Sequence, residues 1–484
     1  MAASTNGAIM LKTINCEGQY KDKHEISRLL LESINEIGAE HVVQVVTDNA
    51  PVCAAAGAIV ETTHPHIFWT PCVVHTLNLV LKDILKAKSH DPGESVEKEL
   101  GWLTESVVND VWFVKNFIMN HGMRLSMYND HCALKLLTIA ETSETRFASH
   151  FVMLKRFKEV KSGLQAMVIS LRWDMYKEDD VNKAKAVKKM LIEERLWDQI
   201  DFIVAFMGPI YEMIRMTDLD RPCLHLVYEW WDVMIEKVRN AIYKPKFASV
   251  LAEKDVEVDR FYDVVYSILI HRWTRSSTSL HCLAHSLNPR YYSSQWLEEV
   301  PNRVAPHRDP ELNNERRKCL QKLFPDSQVR NKVMEEFAYF SLNMGDYSTP
   351  EALENKFHFE PIIWWAIYGA STPLLQTLAL KLLNQPCSSS CCERNWSTYS
   401  FIYGLKRNKL EPKRAQDLVY IHTNLKLLAR RDPNYYKSKE TMWDLAGDGH
   451  ESLVEENVDM LELATLSLDE PALERVIFND EMES

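Results

Sequence analysis

The run HVVQVVT, residues 41–47, constrains the fold more than any other stretch of the chain. It is a β-branched segment bounded by Gly38 and by TDNAP, the pattern of a buried strand ending at a turn. Around it the apolar period changes. HEISRLLLESINEIG places apolar residues at helical spacing and stops at Gly38. GAIMLKTINC before it and HPHIFWT after it read as strands, and CVVHTLNLVLKDILK follows as a helix. The order βαβ, then βα, predicts an α/β layer with a largely buried sheet over residues 1–93. Ligand chemistry in such layers gathers at the carboxyl ends of strands, and Asp48 stands at one. An aspartate after a strand is also an ordinary turn former, so both readings stay open on the residues alone.

From 94 to 345 the strand signal fades. ELGWLTESVVNDVWFVKNFIMNH, SHFVMLKRFKEVKSGLQAMVISLRW, VNKAKAVKKMLIEERLWDQIDFIVAFMG and LVYEWWDVMIEKVRNAIY all carry helical periodicity, broken by DPGES, DLDRPC and VAPHRDPE. No fixed repeat period runs through them, which excludes a solenoid. A third segment, 346–435, holds STPEALENKF with Ser348 or Thr349 as cap and Pro350 at the first position, then the capped helix STPLLQTLALKLLNQP. PKRAQDLVYIHTNLKLLARR is a long amphipathic helix in which Leu418, Ile421, Leu425 and Leu428 fall on one stripe that must pack on something.

Charge separates the end of the chain from the rest. The formal net charge is −12, yet from Thr441 onward there are thirteen acids against one base, Arg475, so the remainder is near neutral. Residues 436–484 are therefore expected to be an acidic, disordered tail. A local basic face remains open, but a protein wrapped in nucleic acid over its whole surface is excluded. No apolar run is long enough for a membrane span, and no signal peptide is evident. The ten cysteines lack regular spacing and read as reduced thiols of a cytosolic or nuclear protein.

Two segments carry a resemblance. HVVQVVTDNA…HIFWTPCVVHTLNLVLKDI resembles the core of plant proteins related to hAT-superfamily DNA transposases. FEPIIWWAIYGASTPLLQTLALKLLNQPCSSSCCERNWSTYSFIYGLKRNKLEPKRAQDLVYIHTNL resembles that superfamily's C-terminal dimerisation segment. ETRFASHFVML and LHCLAHSLNPRYY resemble intervening helical segments, so the resemblance spans roughly residues 7–430. It implies an RNase H-like α/β core interrupted by a large all-helical insertion, here incomplete at its start. It also implies a three-carboxylate site that holds two divalent metal ions, for which Mg²⁺ is suited as a hard cation.

Within that resemblance Asp48 matches the second acid and Glu393 the third. The first acid belongs to a strand upstream of GAIMLKTINC and has no counterpart, since Met1 stands only a few residues before it and Glu17 and Asp22 lie in a strand-to-helix loop. Nor is there a counterpart of the N-terminal zinc finger that such proteins often carry. Cys72 and His75 form the CxxH element, open to three readings: half a zinc site, a helix-ordering core position, or a histidine contacting the scissile phosphate. Arg146 and Phe147 match an arginine–aromatic element that could stack on a base. Lys406, Arg407 and Lys409 lie in a basic string open to nuclear import, to phosphate contact, or to a plain solvated face. Trp365, Trp396, Leu418, Ile421 and Leu425 are candidates for the core or a dimer interface. The expectation is a transposase-derived nuclear protein without catalytic activity or cofactor, acting as a homodimer or with related transposase-like chains, with DNA as a candidate partner. The alternative is an active Mg²⁺-dependent transposase whose first acid is supplied elsewhere.

Overall fold

The computed structural model describes residues 1–4, 7–14, 20–85, 97–132, 148–175, 180–218, 221–252, 257–392 and 412–429. These divide into two compact units. One comprises the described parts of Met1–Thr76, Thr217–Asp232 and Thr274–Asp432; the other comprises those of Leu77–Met216 and Val233–Trp273. The protein is mostly helical with few short strands, a helix-rich α-plus-β fold.

In the first unit, β1 (Ala2–Ser4) and β2 (Gly7–Ile9) form an antiparallel hairpin. The expected strand GAIMLKTINC is thus shortened to three residues. The reason is a long-range contact: Met10 leaves the ladder to exchange two hydrogen bonds with Asn424, its N–H donating to Oδ1 at 2.9 Å and its carbonyl accepting from Nδ2 at 3.1 Å. Helix α1 (Lys23–Ile37) begins on Asp22, whose carboxylate accepts from the N–H groups of His24 and Glu25. It ends at Gly38, whose φ of +94° is a conformation that glycine adopts at little cost.

Next come β3 (Gln44–Thr47), α2 (Pro51–Thr63), β4 (Phe68–Pro71) and α3 (Val73–Leu85). The strands β3 and β4 pair in parallel, Gln44 opposite Phe68 through Thr47 opposite Pro71, with α2 as the crossover. Ile34, Val60 and Ile67 join the layers, flanked by Leu30, Leu31, Val42 and Val45. Gly57 lets α2 approach β4: a Cβ there would lie 2.2 Å from the Trp69 ring.

Helices that the sequence places in the insertion, between 274 and 345, pack instead with the C-terminal segment. Phe340 lies against Tyr292, Tyr347, Trp364 and Trp365. Trp365 Nε1 donates to the Leu287 carbonyl at 2.8 Å. Leu375 N–H donates to Glu336 Oε2 at 2.7 Å, so a distant carboxylate satisfies the start of helix Pro373–Leu382, where Thr372 makes no side-chain cap. Lys356 is buried in this aromatic layer with its ammonium 5.1 Å from the Phe340 centroid, and burial lowers its pKa to about 7.

The second unit is helical among its described residues. Phe202 packs on Phe206, Phe247 and Phe261, and Phe157 stacks on Trp197. Asp83 of α3 and Arg272 form a largely buried ion pair at 2.6 Å.

Candidate functional site

The carboxyl ends of β3 and β4 are built by a lattice of short polar contacts. Cys72 N–H donates to the Thr47 carbonyl at 2.9 Å, and Trp69 Nε1 donates to Thr47 Oγ1 at 2.9 Å. Asp48 is exposed at the tip, and its Oδ1 accepts from Ala50 N–H at 3.1 Å. This side-chain turn feeds Pro51 into the first position of α2, so the carboxylate does serve as a turn former. It also accepts from Cys53, whose thiol is pushed up to about 12 by burial and by that carboxylate. Asn49 donates through Nδ2 to Thr76 Oγ1 at 2.7 Å, while its buried Oδ1 is left without a partner. His75 is half-buried one residue before Thr76.

A distant segment is fastened to the strand pair, at the carboxyl end of β4 and at the first residue of β3. Val73 N–H donates to the Cys387 carbonyl at 3.1 Å, Gln44 Nε2 donates to the Pro386 carbonyl at 2.8 Å, and Ser389 N–H donates to Cys72 Sγ at 3.3 Å. The chain between positions 385 and 389 therefore lies against the carboxyl end of β4 and the first residue of β3, more than 300 positions away in sequence. Cys72 is fully buried, and its Sγ accepts from Ser389 N–H to hold this segment. The hydroxyls of Ser389 and Ser390 are buried without partners. Glu393 follows directly but lies outside the described residues, as do Arg146, Phe147, Trp396, Lys406, Arg407, Lys409 and the tail 436–484. Among the described residues no group of three or more histidine, cysteine or acidic side chains is arranged to hold a metal ion. Asp48 is thus the one expected ligand whose position is described, and no metal-dependent step can be derived from it alone.

The candidate interface residues separate sharply. Trp365 is fully buried in its own unit, committed to Leu287, so its burial comes from intramolecular packing. In helix Pro412–Ala429, Ala415 and Val419 pack on Met10, with Leu418 half-buried beside them. The opposite face presents Ile421, Leu425 and Leu428, which are 49%, 53% and 54% exposed and spaced i, i+4, i+7, a single apolar stripe left about half exposed among the described residues. The periodicity found the stripe but not which of its residues face inward.

No described helix is long and apolar enough to cross a membrane. A domain of unknown function (DUF659) matches residues 1–101, the part that contains β3, Asp48 and the CVVH element. The hAT family C-terminal dimerisation region matches residues 344–425, from just before Tyr347 to Leu425 on the exposed stripe. No curated protein matches the chain. Over these two regions the chain is similar to hAT-family transposase-like proteins.

Proposed function

We propose that the chain is a transposase-derived protein that acts by self-association through the outer face of helix Pro412–Ala429, without strand-transfer activity. The observation that carries this reading is the exposed stripe Ile421–Leu425–Leu428, of which Ile421 and Leu425 lie within the matched dimerisation region and Leu428 just beyond it. Three large aliphatic side chains about half exposed on one helical face favour burial against a like face, at roughly 25 cal/mol per Å² of apolar surface removed from water. Support for the lack of catalysis comes from Asp48, whose carboxylate is engaged by Ala50 N–H and Cys53 as the structural start of α2. Nuclear location and DNA contact through Lys406, Arg407 and Lys409 belong to this proposal. Co-expression of two differently tagged copies tests it: each tag is expected to recover the other, and recovery of strictly single-tagged protein at micromolar concentration would remove the basis for the reading.

One observation favours a second reading, an active Mg²⁺-dependent DNA transposase on an RNase H-like core. The segment leading into Glu393 is hydrogen-bonded to Cys72 and Val73, at the strand ends that also carry Asp48. Mg²⁺-dependent cleavage of terminal-repeat DNA, abolished by Glu393→Gln, would favour that reading. Absence of cleavage by the full-length chain would reject it.

A further inference from the structure

The segment that follows Thr217 and the loop that precedes Glu393 meet at two thiols. Cys223 Sγ and Cys387 Sγ lie 2.9 Å apart, 164 positions from each other in sequence, and are 1% and 0% exposed. Both are free thiols. A disulfide would require the sulfurs to close by roughly 0.9 Å, to the bonded distance of 2.03–2.05 Å. The backbones are already fixed on both sides: Cys223 N–H and Leu224 N–H both donate to the Gln385 carbonyl at 3.1 Å, and the Cys387 carbonyl accepts from Val73 N–H at 3.1 Å.

We propose that Cys223 and Cys387 form an oxidation-closable pair, converted by a peroxide to a disulfide that staples the loop 385–392 to the segment after Thr217. The chemistry balances. Cys223 Sγ attacks one peroxide oxygen; the O–O bond breaks, and the leaving hydroxide departs as water with the Cys223 proton, leaving a sulfenic acid. Cys387 Sγ then attacks that sulfur; the S–O bond breaks, and the hydroxyl leaves as a second water with the Cys387 proton. Two thiols and one peroxide give one disulfide and two waters. The pair is asymmetric in the sense this order needs. The Cys387 hydrogen bond holds the Cys223 thiol below its ordinary value, whereas burial raises Cys387. Further along the same loop Cys391 is half-buried and Cys392 is exposed.

The staple does not depend on the self-association reading, because both sulfurs belong to one unit of one chain. The test treats full-length reduced protein with hydrogen peroxide, blocks remaining thiols with iodoacetamide in denaturant, and maps peptides without reductant. The expected product is a Cys223–Cys387 cross-linked peptide, two hydrogens lighter than its parts, lost on reduction and absent in Cys223→Ser. It is expected to persist in a variant carrying Cys391→Ser and Cys392→Ser. The oxidised wild-type protein should also melt at a higher temperature than the reduced form, because a long loop is closed in its unfolded state. Recovery of Cys223 and Cys387 both alkylated, or cross-linked to Cys391 or Cys392 in place of each other, would overturn the proposal. The wild-type peptide map decides this even if the serine variant fails to fold.

Discussion

Lowering the pH from 7 to 5 should weaken the first unit through three buried histidines. His225, His281 and His285 are almost fully buried, and burial lowers them to about 4, 4 and 3 respectively. Packing supports the direction. His281 Nδ1 accepts from Thr278 N–H at 3.2 Å, which leaves no place for a proton there, and the His285 ring is stacked on Tyr291 with Tyr228 on its other flank. Unfolded histidine takes up its proton near 6.5. Below that pH the unfolded chain binds protons that the folded chain refuses, so stability is fully present above about 6.5 and is lost as pH falls toward 4. Nearby carboxyls act in the opposite sense: burial raises Glu229 and Glu311 as well as Asp232. Asp232 is raised to about 7 by burial and by Glu229, Glu311 and Asp309, so it stabilises below the ordinary carboxylate range and loses that contribution as pH rises through 7.

Three histidines less one carboxylate leave a net uptake of at most about two protons on unfolding, or about 3 kcal/mol per pH unit. The full slope is reached only near pH 5, because the unfolded rings are half protonated at 6.5, so between pH 6.5 and 5 the loss is about 3 kcal/mol, a large part of a typical total of roughly 5–15 kcal/mol. Urea unfolding followed by tryptophan fluorescence at pH 7.5, 6.5, 5.5 and 5.0 measures it, and His285→Gln should lower the slope by about one proton. A midpoint that stays flat, or rises, between pH 6.5 and 5 would refute the argument that these rings are held neutral.

Three substitutions test the packing. Gly57→Ala puts a Cβ inside the Trp69 ring and should cost about 1–3 kcal/mol, read as a lower thermal midpoint. Trp365→Ala empties a fully buried site and breaks the bond to Leu287, so a loss of about 3–5 kcal/mol is expected in chemical unfolding. Lys356→Met should be close to neutral at pH 6 in the same assay, because it removes the desolvation cost of a buried charge while giving up the bond to Asn343 Oδ1 and the ring-face contacts.

The sequence disclosed the local part of this structure. The β-branched run before Asp48 and the apolar spacing before Gly38 name their own elements, because strand and helix periods are written over a few residues. The candidate site was legible only as two separate motifs. What joins them, Cys72 to Ser389 and Gln44 to Pro386, spans more than 300 positions and leaves no short-range pattern. The same holds for Cys223 and Cys387, two irregularly spaced cysteines until the fold sets them side by side. Trp365 and Ile421 show a different limit. Both sit at helical spacing, but only tertiary packing decides that one is interior and the other exposed. The hairpin that replaced a longer opening strand depended on Asn424, a residue at the far end of the chain.

The outer face of helix Pro412–Ala429 is the part of the molecule on which the functional reading rests. Sedimentation equilibrium of the full-length protein at micromolar concentration, beside a variant carrying Ile421→Asp and Leu425→Asp, addresses it directly. Both side chains are about half exposed, so the variant should keep its fold and its helical circular dichroism. The expected result is twice the protomer mass for the wild-type chain and a single protomer for the variant. A monomeric wild-type protein, or a variant that remains fully dimeric, would contradict the assignment of this face.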